Sequence, residues 1–179
     1  MKNLKLLAFL IPILMLNSCT QSVKSQSGQV IDSVVEGLEY QCAGFVKYTD
    51  SNGTISCEHT PIGFKVGNIK IGYIKKVPSD GYVLPQDIAK VSRNNLENEY
   101  VKKIVVLLQS LDEDLNPENG IKITPETREK LDIFIDLENT NIEEVKELIE
   151  AQLDRSNLKD ESEAIEHLKS SMRKYNISY

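Results

Sequence analysis

Two hydrophobic periodicities divide the chain. Between residues 30 and 84, apolar residues alternate with polar ones. Leu38, Tyr40 and Cys42 are interleaved with Glu39 and Gln41, Ile55 and Cys57 with Thr54, Ser56 and Glu58; Ile62, Phe64 and Val66 repeat the spacing, as do Ile69, Ile71 and Tyr73. A spacing of two puts each set on one face of a strand. Asp50-Ser51-Asn52-Gly53 and Ser79-Asp80-Gly81 are the strongest turn signals, with Pro61, Gly63, Gly67 and Gly72 as further punctuation. The pattern predicts a small antiparallel sandwich, in which a turn at Ser51-Asn52 pairs residues 45–49 with 54–58 and sets Cys57 roughly opposite Val46.

After Pro85 the spacing changes to three and four. Val101, Ile104, Val105, Leu108 and Leu111 form one stripe, which predicts a long helix from about Asp87 to Leu111. Thr124-Pro125-Glu126 supplies a cap, a first-turn proline and an early acid, with Leu131, Phe134 and Ile135 expected to face inward. Asn141 with Glu144, and Asp160 with Glu163, have capping-box spacing. The first pair leads Ile142, Val145, Leu148, Ile149 and Leu153, and the second leads Ala164, Ile165, Leu168 and Met172. Short amphipathic helices joined by short loops pack on one another or on a sheet rather than stand alone in water. No heptad register is sustained, which argues against a coiled coil. The fold class expected is α+β: a β-sandwich over residues 30–84, a long helix and acidic loop over 85–123, and amphipathic helices over 124–179.

Residues 1–29 carry neither pattern. Lys2 and Lys5 precede an apolar run from Leu6 to Leu16, the layout of a secretory signal, and the run is too short to span a bilayer. It ends in Leu16-Asn17-Ser18-Cys19, which resembles a bacterial lipobox, with Leu16 and Ser18 fitting the pattern. The resemblance implies a signal peptide over residues 1–18 and a mature chain that begins at Cys19. It also implies acyl chains such as palmitate on that cysteine, which anchor the protein in the bacterial cell envelope. Thr20 is compatible with delivery to the outer membrane. Soluble secretion is the alternative. The polar run over residues 19–29 then reads as a flexible tether. The net charge of -6 repels nucleic acid and anionic headgroups, so neither is an expected ligand. Membrane contact then falls to the lipid, for which more than one acyl chain gives stable anchoring.

With Cys19 committed to lipid, Cys42 and Cys57 remain of the three cysteines, and both fall on apolar strand faces. An oxidising compartment favours their disulfide, and two free thiols are the alternative. The segments Gly37-Leu38-Glu39-Tyr40-Gln41-Cys42, Asn52-Gly53-Thr54-Ile55-Ser56-Cys57, Phe64-Lys65-Val66-Gly67-Asn68-Ile69-Lys70-Ile71-Gly72 and Leu84-Pro85-Gln86-Asp87 together resemble a β module of bacterial lipoproteins and large adhesin-like surface proteins. The similarity runs on through Leu108-Gln109-Ser110-Leu111-Asp112-Glu113-Asp114 and Asn119-Gly120-Ile121. It covers about half the chain and implies a surface-exposed β module without a particular reaction.

One loop has the composition of a cation site. Asp112, Asp114 and Asn116, with Glu118 nearby, place oxygen ligands at alternate positions, the spacing at which loop side chains converge on a hard cation such as calcium. Pro117 and Ile123 stand where an EF-hand has its glycine and bidentate glutamate, so that template does not apply. Acids at a helix C-terminus are disfavoured by the helix dipole, which a cation would reverse. A solvated polar loop is the alternative. His59 and His167 read as surface residues. No phosphate loop, nucleophile elbow or zinc motif is present in the sequence, and no catalytic residue is assigned. The functional expectation is a lipid-anchored, non-catalytic binding or adhesion-type envelope protein with an unknown protein or surface ligand. The alternative is a structural or assembly lipoprotein that docks a partner through its helical tail.

Overall fold

A computed structural model describes residues 25–156 and 158–179; the expected signal peptide and Cys19 lie outside them. The first strand, β1 (Gln26–Val30), falls in the segment read from sequence as tether. Side-chain hydrogen bonding holds this polar stretch in place. Gln26 Oε1 accepts the Val77 N–H, Ser27 Oγ donates to the Ile55 carbonyl and Gln29 Nε2 to that of Asn52. A Cβ at Gly28 would lie 2.6 Å from Val77 and 2.8 Å from the Gly81 carbonyl oxygen, so only glycine permits so close an approach.

The remaining strands of the N-terminal half are β2 (Val35–Glu36), β3 (Glu39–Cys42), β4 (Phe45–Tyr48), β5 (Thr54–Cys57), β6 (Ile62–Val66), β7 (Ile69–Ile74) and β8 (Tyr82–Val83). β1 sits between β5, antiparallel, and β8, parallel. In the larger sheet β4, β3, β6 and β7 run antiparallel in that order. The Asn52-Gly53 turn therefore closes no hairpin. Asp50 Oδ1 accepts the N–H groups of Asn52 and Thr54, and the turn carries the chain from the larger sheet to the smaller. Cys57 pairs with Gln26 rather than facing Val46, and Cys42 pairs with Phe45. The Cys42–Cys57 disulfide thus joins the two sheets.

In the C-terminal half α1 (Pro85–Ala89) and α2 (Glu99–Ser110) replace the single long helix expected. Lys90 adopts the left-handed conformation (φ 60°) and ends α1. Asn98 restarts the chain by accepting the N–H groups of Tyr100 and Val101, as an N-cap should. Arg93 in the intervening loop bridges Asp80, Asp87 and the Tyr82 carbonyl. Two short strands follow, β9 (Ile121–Lys122) and β10 (Ile135–Asp136), either side of α3 (Pro125–Lys130). β9 lies parallel to β2, and β10 parallel to β7 at the sheet edge. The last helices are α4 (Ile142–Leu153) and α5 (Glu161–Lys174), capped by Asn141 and Asp160 through the Glu143 and Ser162 N–H groups, without the return contact from Glu144 or Glu163 that a capping box requires.

The fold is α+β, with strands mostly in the first half and helices in the second. A single core joins the halves, drawing Phe64, Ile69 and Ile71 from the sheet and Ile104, Leu107, Leu108, Leu168 and Met172 from the helices. α2 is buried on nearly every side over its last two turns and packs on α1, α4 and α5. No described helix is long and apolar enough to cross a membrane.

Candidate functional site

The outward face of the larger sheet holds an open trough with a volume of about 480 Å³. A bulge shapes it. β6 and β7 pair Phe64 with Gly72 and Lys65 with Lys70, which leaves Ile71 as an extra residue. Such an insertion resets the alternation of a strand. Ile69 and Ile71 point inward and Ile74 again does so, whereas Tyr73, expected inward from its spacing, turns to solvent. Lys90 Nζ lies 3.6 Å from the centroid of the Tyr73 ring, a favourable cation–π distance. Gly63 leaves the floor bare and Gln41 flanks it, while Lys65 and Lys70 supply the charge along the lining. Both lysines are already paired, with Glu39 and Asp136.

Phe134 forms the far rim and is 73% exposed, against the expectation that it faces inward. α3 stops at Lys130, and β10 buries Ile135 instead, so strand alternation leaves Phe134 outside. Ala43 and Gly44 line the opposite end and turn the chain into β4. All four β4 residues are exposed, Phe45 at 73%. Among the described residues β4 is the sheet's free edge, and apart from Lys47 it lacks the charges and prolines that usually blunt one. The Arg128 guanidinium covers the Tyr48 ring at 4.5 Å. Val46 and Tyr48, paired with Gln41 and Glu39, extend the trough's face onto β4, while Phe45 and Lys47, paired with Cys42 and Tyr40, point to the other face.

A second group of polar side chains lies inside. The turn at Asp32-Ser33 between β1 and β2 is buried beneath α2 and α5. Gln109 Nε2 donates to both oxygens of Asp32, at 3.1 Å each, and to the Ala164 carbonyl. Burial pushes the Asp32 carboxyl up to about 8, with the Gln109 contact acting against it. Ser33 Oγ lies 3.1 Å from His167 Nε2, and His167 Nδ1 lies 3.1 Å from Glu118 Oε1. Ser171 Oγ accepts the Ser33 N–H. His167 is thus buried and bonded on both ring nitrogens rather than at the surface; His59 is exposed, as expected. The order carboxylate, imidazole, hydroxyl is that of a hydrolase triad, but Ser33 and His167 are only 6% and 8% exposed. The arrangement pins α5 to the turn. Sequence reasoning missed it because its members lie up to 138 residues apart.

The acidic loop is held by the backbone of β9. Asp112 Oδ1 accepts the Lys122 N–H at 2.8 Å, and the Glu113 N–H donates to the Lys122 carbonyl. Asp114 accepts the Asn116 N–H and Asn119 Nδ2. Of the four ligands expected from sequence, Glu118 is drawn to His167, and Asn116 contacts Asp114 through its backbone. Among the described residues no group of three or more His, Cys, Asp or Glu side chains is arranged to hold a metal ion. No family model, curated protein or solved structure matches the chain.

Proposed function

We propose that this chain is a lipid-anchored, non-catalytic binding protein of the bacterial cell envelope, which engages a protein or surface ligand with the outward face of its larger sheet. The observation that carries the reading is that the trough and its Phe134 rim share one face with Val46 and Tyr48 of the exposed edge strand β4. Contiguous exposed apolar surface of this kind marks interaction sites, and an unpaired edge can add main-chain hydrogen bonds from an extended segment of a ligand. The lipobox resemblance of Leu16-Asn17-Ser18-Cys19 supports the anchor, and the resemblance to adhesin-like β modules supports a surface role. Docking through the helical tail has less support, because α4 and α5 spend their apolar stripes, including Val145, Ile149, Leu168 and Met172, on the core of this chain.

The test separates anchor from face. Cys19→Ala should move the protein from the membrane to the soluble fraction, and unchanged fractionation overturns the anchor. Binding of the purified chain to isolated cell envelopes should be saturable and at least about tenfold weaker for Val46→Ser/Phe134→Ser, Val46 lying opposite the trough residue Gln41. Both side chains are exposed, so the variant should melt with the wild type. Equal binding by the two proteins overturns the sheet-face reading.

A further inference from the structure

Asp112 follows α2 directly and is 1% exposed, yet its Oδ2 has no hydrogen-bond partner among the described residues. A buried carboxylate oxygen left unpaired is costly, and the surroundings of this one add to the cost. Asp112 lines a small open pocket of about 240 Å³ that Glu36, Glu113 and Asp114 also line, together with Ser51 and Lys122. Lys122 Nζ is bound to Glu113 at 2.7 Å, so it does not neutralise the Asp112 and Asp114 pair. Arg155 caps this end of α2 through the Ser110 and Asp112 carbonyls and so is not paired with either carboxylate.

We infer that this pocket is a weak site for a divalent hard cation of the calcium class, bound by Asp112 Oδ2 and the Asp114 carboxylate, with the remaining positions filled by water and neighbouring oxygens. The backbone of β9 already fixes Asp112 through Lys122, and Asn116 and Asn119 fix Asp114. The two carboxylates are therefore oriented before any ion arrives. Each oxygen that accepts one hydrogen bond retains a lone pair for a ligand role. Calcium takes six to eight oxygens and tolerates irregular geometry, whereas magnesium demands a near-ideal octahedron. Two carboxylates with several waters suit the weaker end of calcium affinities, about 10⁻⁴ to 10⁻³ M. The ligand set is narrower than the sequence spacing implies: Glu118 is committed to His167, and Asn116 serves through its backbone.

The experiment is thermal unfolding of the purified chain with chelator, with calcium chloride, with magnesium chloride and with sodium chloride of matched ionic strength. Calcium at about 30 times its dissociation constant should raise the midpoint by roughly 4 to 8 °C. Sodium should leave it unchanged, and magnesium should act more weakly. Asp112→Asn tests the buried ligand, but the substitution can itself disturb the loop. Asp114→Asn, at an exposed position, keeps the shape and removes one ligand and one charge of the pair, so it should abolish the calcium increment while the chelated protein melts no lower than the wild type does. Equal midpoints with calcium and chelator overturn the inference, as does an increment that Asp114→Asn retains or that sodium reproduces.

Discussion

Replacing Asp32 with asparagine isolates the charge of the buried turn. The carboxyl is fully buried, receives one amide donor from Gln109, and titrates at about 8 instead of 3.8. The folded protein therefore holds a proton that the unfolded chain releases at ordinary carboxylate pH. Between those two values the native state binds more protons, so stability falls as pH rises, and the slope vanishes above about 8, where both states are ionised. One pKa unit corresponds to 1.36 kcal/mol, so between pH 5 and pH 7 the wild type should lose about 2 to 3 kcal/mol relative to Asp32→Asn. Asparagine is neutral in both states, and its carbonyl still accepts from Gln109. Any fixed cost of reorienting its amide shifts the whole comparison without changing its slope. Urea unfolding of both proteins at half-unit steps from pH 5 to pH 9 measures the difference, and every other titrating group cancels to first order. A difference independent of pH would show that Asp32 is ionised in the fold and that a partner donates to it beyond Gln109.

Two further substitutions test the frame. Cys57→Ser opens a loop of 15 residues and frees the smaller sheet from the larger, so it should cost about 2 to 5 kcal/mol in oxidising buffer; an unfolding midpoint that does not respond to reductant would contradict the staple. Gly67→Ala places a methyl group 2.5 Å from the Arg128 and Leu131 carbonyl oxygens at a φ of +56°. It should destabilise by roughly 1 to 3 kcal/mol, and an unchanged urea midpoint would mean that α3 and β10 do not pack on the β6–β7 turn.

Periodicity read well wherever one face of an element met the core. Ile62, Phe64 and Val66, and the stripes of α4 and α5, are inward as their spacing implies. It failed where the backbone departed from ideal geometry. Asn52-Gly53 carries the strongest hairpin signal in the sequence, yet the hairpin closes at Ala43-Gly44, where both residues have positive φ. Such a turn favours asparagine or glycine at its first position, so alanine there hid it. The apolar spacing of the long helix breaks between Val91 and Leu96, where Ser92-Arg93-Asn94-Asn95 intervene. The left-handed Lys90 and the Asn98 cap fix the two helix ends on either side of that break. The trough was invisible for a related reason: it depends on a bulged residue that puts Tyr73 on the wrong face for its number, and on a helix that ends four residues before Phe134. The acidic loop was legible as composition, but the partners of Glu118 and Asp112 come from α5 and β9 and no local window contains them.

The strands that finish the sheets arrive late in the chain. β10 covers the edge of β7 through residues 66 positions apart, and the Ser33 turn waits for Ser171. During synthesis or export from the N-terminus, β7 stays an uncovered template until residue 136 has emerged, with its inward isoleucines unshielded by α2 until Ser110 has followed. Long closures of this kind slow folding, and the exposed strand invites pairing with a neighbouring chain in the meantime. A chain passed unfolded across a membrane would thus depend on a carrier that shields residues 62–74 for the length of the passage, and stopping translation between residues 74 and 136 should leave an insoluble product.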